Sequence, residues 1–344
     1  MHHEPRTEAQ VRYENPEGSA KRAHIATRLP TLIGRFIRHG LKSQTSDRSH
    51  VLAHDETLRM LEALEGKSSV TWIGHMTVLL KIDGRTILAD PWWSSYASPV
   101  PGFGPRRYVA PALAIEELPP IDIVVVSHSH YDHLDLNAVA ALPNRERIAA
   151  VVPTGLGVYF RKLGYGTVVE LGWEESATVA DIRLTALPAI HFSQRRPFKL
   201  NDTLWAAFAI EGPSGVRVYF GGDSDYGPIH AKLGRRWGGF DIALLSIGGF
   251  HNCGVHCTPE DCVRLALDLK SRVLVPLHWG TIYLGEGPPH ELPARFLAAA
   301  LDRGVRKADV WPMRIGETRA LPEPQRPRES KPLAAAAPVD AALV

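Results

Sequence analysis

The chain has no run of about 18 consecutive apolar residues, so nothing in it reads as a membrane span. It is short of cysteine: Cys253, Cys257 and Cys262 are the only three, and they crowd into one short stretch. An odd count in a chain of 344 residues excludes a disulfide framework, and the spacing is not that of a zinc ribbon. The three read as small thiols, buried or partly exposed, in a reducing setting. Charge of one sign is lacking as well. Lys and Arg number 39 against 37 Asp and Glu, a net +2 that gives no electrostatic reason to expect a nucleic-acid partner. The opening Met-His-His-Glu-Pro-Arg-Thr-Glu has no apolar stretch of signal-peptide type, and a cytoplasmic location is the expectation.

What is present is ordinary in bulk and unusual in detail. An apolar content of 44% and a charged content of 22% fit a globular protein able to bury a substantial core. Sixteen histidines is a high count, in keeping with a metalloprotein.

Composition divides the chain into four parts. Residues 1–22 are polar with little periodicity and are expected to be mobile. Residues 23–66 read as a helical segment. Within 23–41, Ile25, Leu29, Leu32, Ile33, Phe36 and Ile37 are interleaved with Arg22, Arg28, Arg35, Arg38 and Lys42. From Pro30 onward this is the pattern of a basic amphipathic helix. Such a helix packs on the domain or leans on anionic lipid at the inner face of a membrane. The main domain is expected over 67–318, and a Pro-, Ala- and Arg-rich tail over 319–344 is expected to be disordered.

Within the main domain, strands are predicted at 70–73, 78–82 and 86–90, with Asp83-Gly84 as a hairpin turn. A long loop over 91–111 carries Trp92, Trp93, Tyr96 and Phe103, which either pack inward or form an apolar lip. Further strands are predicted at 121–126, 149–152, 168–171, 182–189, 204–210, 216–220, 242–246, 273–276 and 309–311. Helices are predicted at 137–142, 156–163, 259–269 and 291–303. Strand-rich sequence followed by helix-bearing sequence occurs twice, which points to two similar halves in one sandwich.

The most informative stretch is Ser127-His128-Ser129-His130-Tyr131-Asp132-His133, directly after the apolar run 121–126. An Ile/Val run of this kind reads as a buried strand, and the loop leaving its carboxyl end is where open α/β sheets place their chemistry. Imidazole and carboxylate together suit zinc, iron or manganese. His191, Asp223 and His278 each follow an apolar strand too. Together these positions offer five His and two Asp, enough for two cations.

This set resembles the metallo-β-lactamase superfamily, whose loop motif is His-x-His-x-Asp-His with later His, Asp and His ligands. The resemblance implies the α/β class and a four-layer αβ/βα sandwich. It implies that His128, His130 and His191 hold a first metal, that Asp132, His133 and His278 hold a second, and that Asp223 bridges the two. The ions expected are two divalent cations, zinc first, with iron or manganese as alternatives. Asp132 and Asp223 would be the catalytic carboxylates, and a shared water with lowered pKa would supply hydroxide. Asp90 is expected behind a ligand imidazole as its hydrogen-bond acceptor, or else as a turn cap before Pro91.

Over roughly 68–300 the chain further resembles the N-acyl-phosphatidylethanolamine-hydrolysing phospholipase D group. The resemblance rests on Gly74-His75-Met76-Thr77-Val78-Leu79, Asp90-Pro91, residues 127–135, Asn201-Asp202-Thr203-Leu204-Trp205, Gly222-Asp223-Ser224 and His278-Trp279-Gly280-Thr281. It implies hydrolysis of a phosphodiester in an N-acylated phospholipid, with peripheral membrane contact through 23–41. Where members carry Gln-His before the Pro-Glu of a late helix, this chain has Val255-His256. His256, Tyr131, Trp92 and Arg195 are the expected substrate contacts, with Arg196 and Lys199 as further basic candidates. His251 is expected near the mouth, His75 as a structural histidine, and His230 and His290 at the surface. Two other readings use the same residues: a hydrolase of a small soluble ester or sugar-phosphate lactone, and a non-catalytic metal-stabilised scaffold or sensor.

Overall fold

In the computed structural model the chain is described over residues 12–19, 47–196, 199–249, 256–282 and 290–324. The basic segment 23–41, Cys253, Val255 and His251 lie outside the described residues.

The first sheet is built from β1 (Ser69–Gly74), β2 (Thr77–Ile82), β3 (Arg85–Ala89), β4 (Ile123–Val125), β5 (Ala149–Pro153) and β6 (Thr167–Leu171), with β13 (Thr318–Ala320) added beside β1. Pairing is antiparallel from β13 to β3 and parallel from β3 to β6. Asp83 and Gly84 turn the β2–β3 hairpin with φ of 49° and 80°, the left-handed pair that matches strand twist.

The second sheet holds β7 (Ser176–Val179), β8 (Ile182–Leu187), β9 (Ala207–Glu211), β10 (Arg217–Phe220), β11 (Phe240–Ser246) and β12 (Ser271–Leu277), in the order β12-β11-β10-β9-β8-β7. It too is antiparallel at one end and parallel at the other, from β10 to β12. The two halves expected from the repeated order are therefore present.

The period-two pleat sorts the apolar residues of the first sheet between its faces. Val78, Leu80, Ile82, Ile87, Ala89 and Val125 join the same core as Leu184, Phe208 and Val218 of the second sheet. Their neighbours Leu79, Leu88, Val124 and Val126 pack instead with Val139 and Phe160. Those two lie on the short helices α2 (Leu136–Ala141) and α3 (Gly157–Lys162). On the far side, α4 (Pro228–Trp237), α5 (Pro259–Asp268) and α6 (Glu291–Asp302) bring Leu233, Val263 and Phe296 onto the second sheet. The result is the expected four-layer αβ/βα sandwich, preceded by α1 (His54–Ala63).

Several expectations are corrected. No strand forms at 309–311; Lys307–Asp309 is a 3-10 turn and Val310 makes one isolated bridge to Leu274. The terminal strand is β13 instead, and Leu321 N donates to Ser68 O, so the sheet runs past the boundary placed at 318. β7 and α4 were not foreseen, whereas α1 falls inside the helical segment expected over 23–66. The α4 pattern is hidden by Gly234, where a Cβ would overlap the Asp268 carbonyl of α5. Close helix contact explains that glycine better than helix breaking. Residues 12–19, expected to be mobile, are docked: Tyr13 N donates to Asn201 O at 3.1 Å and Asn201 Nδ2 to Tyr13 O at 3.0 Å.

Candidate metal centre

The carboxyl ends of five strands meet at one edge of the sandwich. His75 follows β1, Asp90 follows β3, the 127–133 loop follows β4, Asp223 follows β10 and His278 follows β12; His191 comes after β8 and His256 precedes α5. Three of these residues hold left-handed backbone although none is glycine: His75 at φ 56°, Asp90 at 42° and His278 at 64°. Such conformations cost on the order of 1–3 kcal/mol each and persist where surrounding bonds over-determine them. His75 shows how. His278 N and Trp72 Nε1 both donate to His75 O, at 3.0 and 2.8 Å, and His75 N donates to Thr281 Oγ1 at 2.9 Å.

Asp90 is fully buried and sets the ring orientations behind the centre. Its Oδ1 accepts Ser127 N at 2.7 Å, and its Oδ2 accepts Ser127 Oγ at 2.6 Å and His133 Nδ1 at 2.7 Å. Since the Ser127 hydroxyl proton goes to Asp90, His128 Nδ1 at 2.9 Å must donate to Ser127 Oγ. In their neutral form both rings therefore carry the lone pair on Nε2, facing inward. Burial raises the Asp90 carboxyl, with His133 and Ser127 opposing the shift.

The inward atoms form groups whose donors lie within 4.8 Å of one another. One is His128, His130, His191 and Asp223; another is His75, Asp132, His133 and His278; a third is Asp223, His256 and His278. Asp223 belongs to two of them. Its Oδ2 lies 3.2 Å from His133 Nε2, 3.6 Å from His191 Nε2, 3.6 Å from His256 Nδ1 and 3.9 Å from His128 Nε2; its Oδ1 lies 3.2 Å from His278 Nε2. All seven residues expected as ligands are thus brought together, and His75 and His256 join them.

These donors fit cations. His128 Nε2 and His130 Nδ1 are 2.8 Å apart, His130 Nδ1 and His191 Nε2 3.3 Å, and His133 Nε2 and His278 Nε2 3.2 Å. Ring nitrogens converging so closely repel unless a proton or a cation lies between them. Asp223 Oδ1 is buried with no hydrogen bond, the kind of orphaned acceptor a cation satisfies. Burial pushes His75 down to about 3 and His130 to about 4, so both are neutral at physiological pH. Burial would raise Asp223 and Asp132, but the facing imidazoles, His278 and His133 foremost, hold both well below the carboxylate range. His133 is raised despite its burial, by Asp223, Asp132 and Asp90.

Most of the cluster is closed to solvent, and His130, Tyr131, Asp132 and His256 form its half-buried side. Tyr131 Oη donates to Arg195 O at 2.7 Å. Arg195 spends its own guanidinium on Ser129 O and Leu134 O, at 3.1 and 2.7 Å, and lies 4.3 Å over the Tyr131 ring. It therefore braces the ligand loop. Arg196 pairs with Asp202.

Other expectations are revised here. Trp92 is fully buried, its ring 5.0 Å from that of His75 and 4.0 Å from the Arg107 guanidinium, so it belongs to the floor and not to an exposed lip. The loop folds back because Asp135 Oδ2 accepts Trp93 N and Ser94 N; Phe103 alone of its five aromatics is exposed, at 58%. His230 is buried inside α4 and is not a surface residue, whereas His290 is exposed. His75 follows β1 and touches Asp132, a role its sequence neighbourhood did not signal. Asn15 was missed outright: its Oδ1 accepts His191 N at 2.9 Å.

Comparison with known proteins identifies the family. A family model described as a β-lactamase superfamily domain matches residues 85–279. An uncharacterized protein of Mycobacterium tuberculosis is 43% identical over 251 residues, 71% of this chain and 67% of that one. An N-acyl-phosphatidylethanolamine-hydrolyzing phospholipase D of Caenorhabditis elegans is 36% identical over 230 residues, covering 62% of this chain and 64% of its own. A metal-dependent hydrolase of Anaeromyxobacter is 30% identical over 249 residues, 68% of this chain and 82% of that one. Among solved structures, a possible metal-dependent hydrolase from Veillonella parvula shares the fold with a TM-score of 0.60 at 20% identity, over 74% of this chain and all of its own. The chain belongs to the metallo-β-lactamase superfamily. Within it, the protein is a metal-dependent hydrolase.

Proposed function

We propose that the protein is a binuclear phosphodiesterase of phospholipase D type, acting on N-acylphosphatidylethanolamine-like lipids. The observation that carries the two-cation part is Asp223, one carboxylate facing His128, His191 and His133 through Oδ2 and His278 through Oδ1. The lipid part is supported by the likeness to the Caenorhabditis elegans enzyme. No helix among the described residues is long and apolar enough to cross a membrane, so contact with lipid would be peripheral. The basic apolar stretch 23–41 suits that contact, and the chain on either side of it is fastened beside the centre. Asn15 holds His191 N, and His50 Nε2 lies 2.8 Å from Gly280 O, two residues after His278.

A divalent pair held here, zinc or else iron or manganese, supplies Lewis acidity and an activated water at neutral pH. His128, His130 and His191 would hold one cation and Asp132, His133 and His278 the other, with Asp223 placed between the two groups. Water adds to phosphorus, the bond from phosphorus to the alcohol oxygen of the N-acylethanolamine breaks, and a proton given up by that water ends on the departing oxygen, giving a phosphatidic acid and an N-acylethanolamine. Asp132 stays ionised and serves as a carboxylate, not as the acid that protonates the leaving oxygen. His256, on the half-buried side 3.6 Å from Asp223, is placed to orient the phosphate.

The test is to assay purified protein on vesicles of N-acylated phosphatidylethanolamine and on a panel of soluble esters and lactones, before and after chelation. Chelator-sensitive release of both lipid products is expected. Turnover of the soluble panel alone would remove the lipid reading and leave the small-ester hydrolase. Metallated protein that hydrolyses nothing would favour a scaffold.

A further inference from the structure

We infer that His75 is a positioning residue for the second cation site: it donates Nε2–H to Asp132 and is not itself a ligand. The inference rests on the metal-centre reading above.

His75 Nε2 lies 3.0 Å from Asp132 Oδ2, and the His75 side chain is fully closed to solvent. A neutral imidazole carries one proton. On Nδ1, which is buried and has no hydrogen-bond partner, that proton would be unsatisfied, and the bare Nε2 lone pair would face a carboxylate lone pair. On Nε2 it makes a charge-assisted hydrogen bond to Asp132. The proton therefore sits on Nε2, and the atom nearest the donor cluster has no lone pair left for a cation.

The ring itself is fixed. It lies 3.9 Å from the His278 ring and edge-on to Trp92 at 5.0 Å. Its backbone is tied to His278 N, Thr281 Oγ1 and Trp72 Nε1 at a left-handed φ. This clamp joins the end of β1 in the first sheet to the end of β12 in the second. His75 thus registers Asp132, on the β4 loop, against His278, whose Nε2 is 3.7 Å from Asp132 Oδ2. Asp132 sits on the half-buried side of the centre, where a carboxylate with no such partner would be free to turn outward.

Removing a partner that orients a ligand commonly weakens metal binding by about 10- to 100-fold. Stepwise cobalt titration, followed by visible absorption and chelator competition, reads the two sites separately. His75→Ala should weaken one equivalent by that factor with an altered cobalt spectrum, and leave the other as in wild type. His75→Gln, whose amide can still donate, should recover most of the loss. In an Asp132→Asn background, His75→Ala should add nothing further. Wild-type affinity in His75→Ala, equal loss of both equivalents, or a Gln variant as weak as Ala would each overturn the inference. Wild-type protein that takes up no cation would instead bring down the metal-centre reading, and this inference with it.

Discussion

Asp90 Oδ2 accepts a hydrogen bond from His133 Nδ1 at 2.7 Å, with both side chains wholly buried and the same carboxylate also taking the amide and hydroxyl of Ser127. One acceptor thereby fixes the protons on His133 and, through Ser127, on His128. Asp90→Asn removes the charge and replaces one acceptor with a donor. Its expected effect is a loss of roughly 10- to 100-fold in metal affinity, with far-UV circular dichroism unchanged. Competition against a chelator measures it; an unaltered affinity would mean that Asp90 only caps its turn.

Asn15 reaches His191 from the far end of the chain. Asn15→Ala removes the acceptor of a part-buried backbone N–H, a change of about 1 kcal/mol. The melting temperature should fall modestly, and metal should restore less stability than in wild type. Asn15→Asp keeps the oxygen and should behave like the parent. For the same reason a test of membrane contact has to spare residues 12–19. Reversing Arg28, Arg35 and Arg38 to Glu should weaken binding to anionic vesicles while metal content stays constant. Unchanged vesicle binding would end the case for 23–41.

His230, inside α4 and outside the donor groups of the centre, supplies a pH prediction. Burial lowers it from 6.5 to about 4. The unfolded chain takes up a proton near the ordinary value and the folded chain resists, so its contribution is complete above 6.5 and is lost as pH falls toward 4. The full span is on the order of 3 kcal/mol, and roughly 2 kcal/mol of it is gone by about pH 5. Urea midpoints of wild type and His230→Gln at about pH 7.5 and about pH 5 isolate this share, since the other histidines cancel in the comparison. Equal acid losses in the two proteins would refute it.

Much of the fold was open to sequence reasoning because its signals are local. The nearly continuous apolar run 78–82, the Asp83-Gly84 turn and the Pro259 helix start, capped by the Thr258 hydroxyl, each depend on neighbours within a few positions. α4 escaped because Gly234 answers to a helix that follows it by some thirty residues. Trp92 was misplaced because an aromatic in a long loop looks the same whether it faces water or, as here, His75 and Arg107. The seven candidate ligands were legible because each stands just after an apolar strand, and strand ends collect on one rim of a sheet.

The chain's order of residues determined the ligand types, their places at strand ends and the two-faced strands that stack into a sandwich. Only the packed molecule decided which ring nitrogen points inward, that His75 stands behind Asp132, and that Asn15 closes on His191. Those choices rest on hydrogen bonds between residues 43, 57 and 176 positions apart. They exist because two sheets and the segment 12–19 meet at one buried edge, where an unpaired polar group is costly, and no local pattern records that meeting.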